Sequence, residues 1–232
     1  MSAPDIKISC SDTAVIIPAY NPSQELLALC TDLVKENFSV FVINDGSEDR
    51  SIFSRLSELR VTLLHHPVNL GQGAALETGI HKAIEKNKRI FVTIDADGQH
   101  SAASVRDLCQ VLLQQQADIV FGSRFLNKQF IRNVPAIKRA TLKLAALFDG
   151  LLTGIWLTDS HNGLRAFNLR AAKTIHFTEN RMAHATEILW LTKKYGWKYS
   201  ECAVLVHYGN KSQHPSRSIE IAIDLFLRKL IS

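Results

Sequence analysis

The first half of the chain alternates short apolar runs with segments in which apolar residues recur at helical spacing. The runs are typical of buried strands, and the intervening segments predict helices. Strands are expected at Ala14–Ile17, Val40–Ile43, Val61–Leu64, Ile90–Ile94 and Ile119–Phe121, and helices at Ser23–Asn37, from about Ser51, at Ala74–Glu85 and at Ala102–Gln115. Because strands separated by helices need crossover connections, this order predicts an α/β fold with a Rossmann-like, mostly parallel central sheet flanked by helices.

Polar turns follow three of these strands, at residues 19–21, 44–47 and 95–100. In an open parallel sheet, ligands bind beyond the carboxyl ends of the strands. We therefore expect the three turns to converge on one cleft.

The second half has a different pattern. Apolar residues at Ile137, Leu144, Phe148, Leu151 and Ile155 predict a helix over Pro135–Trp156. A helix at His184–Tyr195, a strand at Glu201–His207 and an amphipathic closing helix at Ser216–Ile231 are expected to follow. Basic residues crowd the start of the first of these helices, at Arg124, Lys128, Arg132, Lys138, Arg139 and Lys143. Because apolar side chains lie among them, this basic face and the closing helix suit the surface of an anionic membrane.

The composition fits one globular domain, with 232 residues, 46% of them apolar and 21% charged. The formal net charge of +5 favours anionic partners. Nucleic acid is not expected, because two aspartates at the cleft would repel its phosphates and no aromatic RNA-binding motif is present. No CxxC pair occurs among the four cysteines, so zinc is not expected either. Without a signal-peptide pattern or a membrane-spanning apolar run, we expect a cytoplasmic protein, peripheral at the cytoplasmic face of the inner membrane.

The strongest candidate site is the turn at residues 95–100, which reads Asp-Ala-Asp-Gly-Gln-His. Two carboxylates one residue apart, Asp95 and Asp97, suit a hard divalent cation, and Gln99 adds a neutral oxygen. Such a cation offsets the negative charge of a diphosphate leaving group. Aspartates in a turn can equally be solvated or cap the next helix.

Three further motifs carry groups suited to a nucleotide or a phosphate. Asp45 can accept hydrogen bonds from a base or ribose, or can close an Asx turn with Gly46. Gly71 and Gly73 allow close approach of a ligand or tight packing of a helix, whose N-terminus favours a phosphate. They form neither a P-loop nor a dinucleotide-binding pattern. Arg124 can bind a phosphate or form a surface salt bridge.

Candidate acid–base groups lie in the second half. Asp159 and His161 stand in an unusually polar segment, residues 158–165, and Glu187 interrupts the apolar face of a predicted helix. Each of these groups can transfer a proton. The two groups of the polar segment can also belong to a plain loop, and Glu187 can point to solvent.

Six segments occur in the order found in family 2 glycosyltransferases: AVIIPAYNP, VINDGSED, NLGQGAALETGI, TIDADGQH, FGSRFL and DSHNGLRAFN. From about Thr13 to His207, the chain most resembles the branch of dolichyl-phosphate mannose synthases and related polyprenyl-phosphate glycosyltransferases. The resemblance implies a GT-A fold, a nucleotide-diphosphate sugar donor and Mg2+ or Mn2+ as cofactor. It implies one domain with a nucleotide-sugar-binding half at 13–125, an acceptor half at 126–208 and a C-terminal amphipathic helix at 209–232.

The resemblance also assigns roles to individual residues. The nucleotide-sugar pocket is expected to contain Pro18, Ala19, Tyr20, Asn21, Asp45, Gly71, Gly73 and Asp95. The expected metal ligands are Asp95, Asp97 and Gln99, and the expected catalytic residues are Asp97, Arg124, Asp159 and Glu187. Arg124 matches a phosphate-binding arginine. Arg139 and Lys211 are candidates for the acceptor phosphate, the latter from a loop that loosely resembles the family's basic acceptor loop.

These features predict inverting, metal-dependent transfer of a sugar to a polyprenyl phosphate or to a cell-surface glycan intermediate. A phosphate acceptor is already anionic and needs no strong base, whereas a sugar hydroxyl needs one, for which Asp159 or Glu187 is the candidate. Two alternatives stay open: a transferase to a sugar hydroxyl in polysaccharide biosynthesis, and a non-catalytic nucleotide-sugar-binding module.

Overall fold

The apolar runs of the sequence form the strands of one seven-stranded sheet. The structure, a computed structural model, describes residues 9–131, 134–177 and 184–207. The strands are β1 (Thr13–Ala19), β2 (Ser39–Asp45), β3 (Val61–His66), β4 (Ile90–Thr93), β5 (Ile119–Ser123), β6 (Arg165–Asn168) and β7 (Tyr199–Ala203). The helices are α1 (Glu25–Lys35), α2 (Ser51–Leu56), α3 (Gln72–Glu85), α4 (Ala102–Gln114), α5 (Lys128–Ile131), α6 (Ala136–Thr153), α7 (Leu169–Ala172) and α8 (His184–Lys194). Of the helices described, none has the length and apolar character needed to cross a bilayer.

The sheet has the order β3-β2-β1-β4-β6-β5-β7. Its neighbouring strands are parallel except at β6, which is antiparallel to both β4 and β5. The predicted α/β fold with a mostly parallel sheet is therefore confirmed. Because β6 runs the other way, it begins at the edge where β4 and β5 end, and Arg165 pairs with Thr93 on one side and Phe121 on the other.

Each central strand sends alternate side chains to opposite faces of the sheet, as strand geometry requires. Val15 and Ile17 join one buried cluster with the apolar faces of α1, α2 and α4. Ala14 and Ile16 join a second cluster with α3, α7 and α8. Both faces of the sheet are thus covered, which explains why its strands read as nearly continuous apolar runs.

Several predicted boundaries differ from the structure by one or more residues, and two of the differences matter here. Helix α1 begins at Glu25 after Gln24, and no side-chain hydrogen bond caps it, so Ser23 is not the N-cap. Strand β7 ends at Ala203 rather than His207. After the strand, Val204 N still donates to Ser123 O of β5 (2.9 Å), and His207 N then donates to Gln99 O (3.0 Å), which brings the segment to the turn after β4. The closing helix expected at residues 216–231 lies outside the described residues.

Helix α6 lies within the predicted range and ends at Gly154, whose left-handed backbone (φ 75°) lets its N–H reach Gly150 O. Its burial differs from a core helix. Ile137, Leu144 and Leu151, which helped to predict it, are exposed, whereas small and polar residues such as Ala145 and Asp149 face the protein.

Candidate active site

The turns that follow the strands meet at one edge of the sheet, as expected. The turn before β6 lies over the ends of β4 and β5, because Thr93 Oγ1 donates to Gly163 O (3.0 Å) and Gly122 N donates to Leu164 O (2.9 Å). On the other side of the cleft, Asn21 N donates to Ser47 Oγ (2.9 Å), which joins the turns after β1 and β2.

Asp95 lies at the centre of this edge, directly after the end of β4. Its Oδ1 accepts a hydrogen bond from Gln72 Nε2 (2.9 Å), and its carboxylate packs on the backbone of Gly163. A methyl group at Gly163 would lie 2.2 Å from Asp95 Oδ2, so the carboxylate fills the space that a side chain would need. Burial and the neighbouring Asp97 raise the pKa of Asp95, and Arg165 and Gln72 partly offset the rise.

Asp97 and Gln99 form the outer part of the same turn. Asp97 Oδ1 accepts a hydrogen bond from Gln99 N (3.0 Å), and Gln99 O accepts one from His207 N, so both ends of the turn are held. Asp97 is exposed, and partial desolvation raises its pKa, while the Gln99 N–H and the charge of Lys138 lower it.

The donor groups of this turn fit a divalent cation that also binds a substrate phosphate. Among the described residues, no three His, Cys, Asp or Glu side chains form a complete protein cage for a metal. Mg2+, however, is usually bound by one or two carboxylates together with substrate phosphates. The charge of Asp97 raises the pKa of Asp95, and a cation between them would relieve that repulsion.

Arg124 and Asp159 form a buried, bidentate ion pair. Arg124 Nε donates to Asp159 Oδ2 (2.5 Å), Nη2 donates to Oδ1 (2.6 Å), and the Arg124 backbone N–H also reaches Oδ2 (3.1 Å). The sequence suggested separate roles for the two residues, as phosphate ligand and general base. The Asp159 carboxylate is only 1% exposed, and both of its oxygens accept hydrogen bonds from Arg124, so this pairing gives it a structural role. Its predicted role as a general base stays a prediction.

Asp45, at the end of β2, braces the glycine turn that precedes α3. Its carboxylate accepts hydrogen bonds from Leu70 N (2.9 Å), Gly71 N (2.8 Å) and His66 Nδ1 (2.7 Å). It is 3% exposed. The predicted base or ribose contact stays a prediction, and the observed partners give Asp45 a structural role in shaping that side of the cleft.

The other residues expected in the nucleotide pocket lie on the same side. Ala19 is buried at the end of β1, whereas Tyr20 is 52% exposed. Gly71 stands immediately before α3 with φ 100°, a conformation that favours glycine, and Gly73 is buried in the first turn of that helix. Pro18 is partly buried.

The predicted acceptor-side residues within the described part of the chain lie on α6 and α8. Arg139 is partly buried in the first turn of α6, and Glu187 is partly buried on α8. Next to Glu187, Thr186 Oγ1 donates to Asp149 Oδ1 (3.1 Å), and Ser160 Oγ donates to Asp149 Oδ2 (2.5 Å). These two bonds tie α8, α6 and the turn before β6 to one another. Lys211 lies outside the described residues.

Two basic residues belong to the site although the sequence did not single them out for it. Arg165 is 2% exposed, and its Nε has no hydrogen-bond partner among the described residues. Burial lowers its pKa to about 10, against the opposing charges of Asp95, Asp159 and Asp149. Lys138 faces the same cluster, since burial and Arg124 lower its pKa while Asp97 raises it. A charged residue flanked by apolar ones in Gly-Leu-Arg-Ala-Phe was the available signal for Arg165.

Comparison with known proteins shows that this chain is a glycosyltransferase. The chain matches the model of Glycosyl transferase family 2 over residues 14–178, and it belongs to that family. It is 29% identical to the UDP-N-acetylglucosamine--dolichyl-phosphate N-acetylglucosaminyltransferase of Methanococcus voltae, covering 94% of each chain. It is also 29% identical to the polyprenol monophosphomannose synthase of Mycolicibacterium smegmatis, covering 70% of this chain and 64% of that protein.

The fold is similar to that of glucosyl-3-phosphoglycerate synthase from Mycobacterium tuberculosis, solved in complex with Mn2+, UDP and phosphoglyceric acid. The TM-score is 0.68 at 15% identity, covering 90% of this chain and 74% of that one. The predicted fold, enzyme class and resemblance to polyprenyl-phosphate glycosyltransferases are thereby confirmed.

Proposed function

We propose that this glycosyltransferase moves a sugar from a nucleotide-diphosphate donor to a polyprenyl phosphate, with inversion at the anomeric carbon and with Mg2+ or Mn2+. The observation that carries the proposal is one sheet edge where two carboxylates, Asp95 and Asp97, lie beside the basic residues Arg124 and Lys138. A metal-bound diphosphate and an anionic acceptor need these two kinds of group side by side. The names of the two relatives support a lipid-phosphate acceptor.

On the donor side, Asp95, Asp97 and Gln99 would hold the cation. When bound, the cation would neutralise the charge that develops on the departing diphosphate. Asp45 fixes the glycine turn, so the first amides of α3 keep their position at the cleft, where a helix N-terminus favours phosphate. The nucleotide would lie across the joined turns at residues 19–21 and 44–47.

On the acceptor side, the first turn of α6 is suited to a phosphate. No side-chain hydrogen bond caps this helix at Pro135, and Lys138 and Arg139 add positive charge in its first turn. Arg124 contributes charge and position, because Asp159 holds the bidentate edge of its guanidinium. We therefore assign the direct phosphate contact to the α6 turn.

The reaction we propose is a single displacement. An oxygen of the acceptor phosphate bonds to the anomeric carbon while the bond from that carbon to the diphosphate oxygen breaks on the opposite face. The attacking oxygen is already anionic, so no proton has to be removed. The buried pairing of Asp159 is compatible with this chemistry, whereas a sugar-hydroxyl acceptor would require a base such as Glu187.

The test is transfer of label from a panel of UDP- and GDP-linked sugars to dolichyl or undecaprenyl phosphate, with Mn2+ or Mg2+, measured in an organic extract. We expect Asp97→Asn to lower metal-dependent turnover by about 10²-fold or more, because it removes charge from the cation site. Asp107→Asn is the matched control, since Asp107 is exposed on α4. Full metal-dependent turnover by Asp97→Asn would contradict the assigned metal role, and label that stays aqueous with every donor would contradict the lipid acceptor.

The configuration of the product tests inversion separately. An α-linked donor should give a β-linked glycosyl phosphate, read from the anomeric coupling in NMR spectra. We further propose that the enzyme works peripherally at the cytoplasmic face of the membrane, where nucleotide sugars and the phosphate group of the lipid can meet.

A further inference from the structure

Helix α6 carries a row of exposed apolar side chains, which we name the α6 apolar face. Its members and their exposed fractions are Ile137 (77%), Leu144 (62%), Leu147 (49%), Leu151 (69%) and, just beyond the helix, Trp156 (56%). Ile137, Leu144 and Leu151 recur every seven residues, and Leu147 falls between them, so they share one side of the helix. A contiguous apolar surface of this kind marks an interaction site.

The α6 apolar face is fixed in place by the opposite side of the helix. Asp149 accepts hydrogen bonds from Ser160 Oγ and Thr186 Oγ1, which tie α6 to the active-site turn and to α8. The Trp156 ring packs on Gly150, since a methyl group there would lie 2.6 Å from a ring carbon. The indole is therefore held at the surface, as is typical of aromatic residues at a membrane–water boundary.

The accessible charged residues of α6 are all basic. Its basic residues are Lys138, Arg139 and Lys143, the last of them exposed next to Leu144, and its one acid, Asp149, is 2% exposed. A second copy packed on this face would bring like charges together with no acid on the helix to pair with them. An anionic surface with an apolar interior complements both features.

We propose that the α6 apolar face and its basic flank dock this enzyme on an anionic lipid bilayer, with the helix lying in the plane of the headgroups. On the inner side of the same helix, Asp149 accepts a hydrogen bond from Ser160 Oγ, and Ser160 directly follows Asp159, the partner of Arg124. Docking through α6 therefore holds the reaction centre at the depth of the headgroups, where the phosphate of a lipid acceptor lies. This inference rests on the proposed function for its purpose, but binding can be measured without turnover.

The experiment is co-sedimentation with vesicles of phosphatidylglycerol and phosphatidylcholine, compared with phosphatidylcholine alone. We expect the wild type to bind the anionic vesicles, and Leu144→Glu/Leu151→Glu to bind them at least about tenfold more weakly, because two charges enter the apolar layer. Both leucines are exposed, so the variant should keep the thermal unfolding midpoint of the wild type. Gln110→Glu/Gln114→Glu is the matched control, with the same added charge on exposed positions of α4.

Three results would overturn the proposal: a wild type that does not bind anionic vesicles, a double-glutamate variant that binds as well as the control, or a wild-type dimer that the variant dissociates without any vesicle binding. Transfer assays separate this failure from failure of the proposed function. The variant should lose transfer to a bilayer-embedded polyprenyl phosphate and keep transfer to a short-chain, water-soluble one. If the wild type binds vesicles yet glycosylates neither acceptor, the docking stands and the proposed function fails.

Discussion

Gly163 offers a sharp test of the geometry around Asp95. In Gly163→Ala, the new methyl group would lie 2.2 Å from Asp95 Oδ2, 2.6 Å from Cγ and 2.7 Å from Oδ1. Ordinary contacts of such atoms begin near 3.4 Å, so the carboxylate must move by about 1.2 Å. The Asp95 carboxylate can rotate away from the added methyl group, so the protein should still fold. The carboxylate would then no longer occupy its position in the candidate metal site.

Gly163→Ala should change the stability of the protein little and its turnover strongly. Turning Asp95 breaks its hydrogen bond from Gln72, which costs about 0.5–1.5 kcal/mol. Replacing a glycine whose φ is not positive by alanine stabilises the folded state by about 0.4–1 kcal/mol, because it reduces the conformational entropy of the unfolded chain. The free energy of unfolding should therefore change by less than about 1 kcal/mol. Misplacing a group of the reaction centre by about 1 Å can lower turnover by about 10²-fold.

The assay compares metal-dependent turnover and Mn2+ affinity in the presence of nucleotide with the urea midpoint of the same protein. Gly196→Ala is the control, because Gly196 has φ 58° and nothing within 4 Å of the added methyl group. That control should lose stability, on the order of 1 kcal/mol, with its activity intact. A Gly163→Ala enzyme with wild-type turnover and Mn2+ affinity would refute the reasoning.

Two further predictions concern the ion pair and one buried acid. Asp159→Asn should lower the free energy of unfolding by about 3–5 kcal/mol, because it removes the charge of the carboxylate that pairs with the buried guanidinium of Arg124. Wild-type stability of this variant in urea would argue against a structural pair. Burial raises the pKa of Glu201, which accepts two hydrogen bonds from Thr158, so its ionised form is disfavoured in the folded state. The stability of the wild type relative to Glu201→Gln should therefore fall as pH rises above the usual glutamate range, and a difference that stays constant from pH 4 to pH 7 would contradict the shift.

The local sequence pattern predicted the strands that are buried on both faces of the sheet. Strands β1, β2 and β4 are buried on both faces, so their composition alone marks them. The turn from Asp95 to His100 stood out because two carboxylates followed directly after such a strand. The same pattern is less informative in the second half of the chain. The spacing of Leu144 and Leu151 correctly predicts a helix, but both leucines are exposed, so the spacing does not show which side of the helix is buried.

Contacts between distant residues were not predictable from the same signals. The pair of Asp45 and His66 is set by the register of β2 on β3, and that of Arg124 and Asp159 joins turns 35 residues apart. Each partner alone reads as a polar residue in a loop. Only the folded sheet brings these groups into contact, and the contacts add a structural role to the ligand and base roles predicted from the sequence.

The reversed strand β6 explains why the acceptor side was hardest to anticipate. A parallel crossover would have carried residues 158–164 away from the edge where β4 ends. Running antiparallel, β6 instead begins at that edge, and it sets Gly163 against Asp95 and buries Arg165 beside the same carboxylate. The candidate site thus includes residues of a polar segment whose place depends on the direction of one four-residue strand. Direction is a property of sheet pairing, and no residue within Arg165–Asn168 encodes it locally.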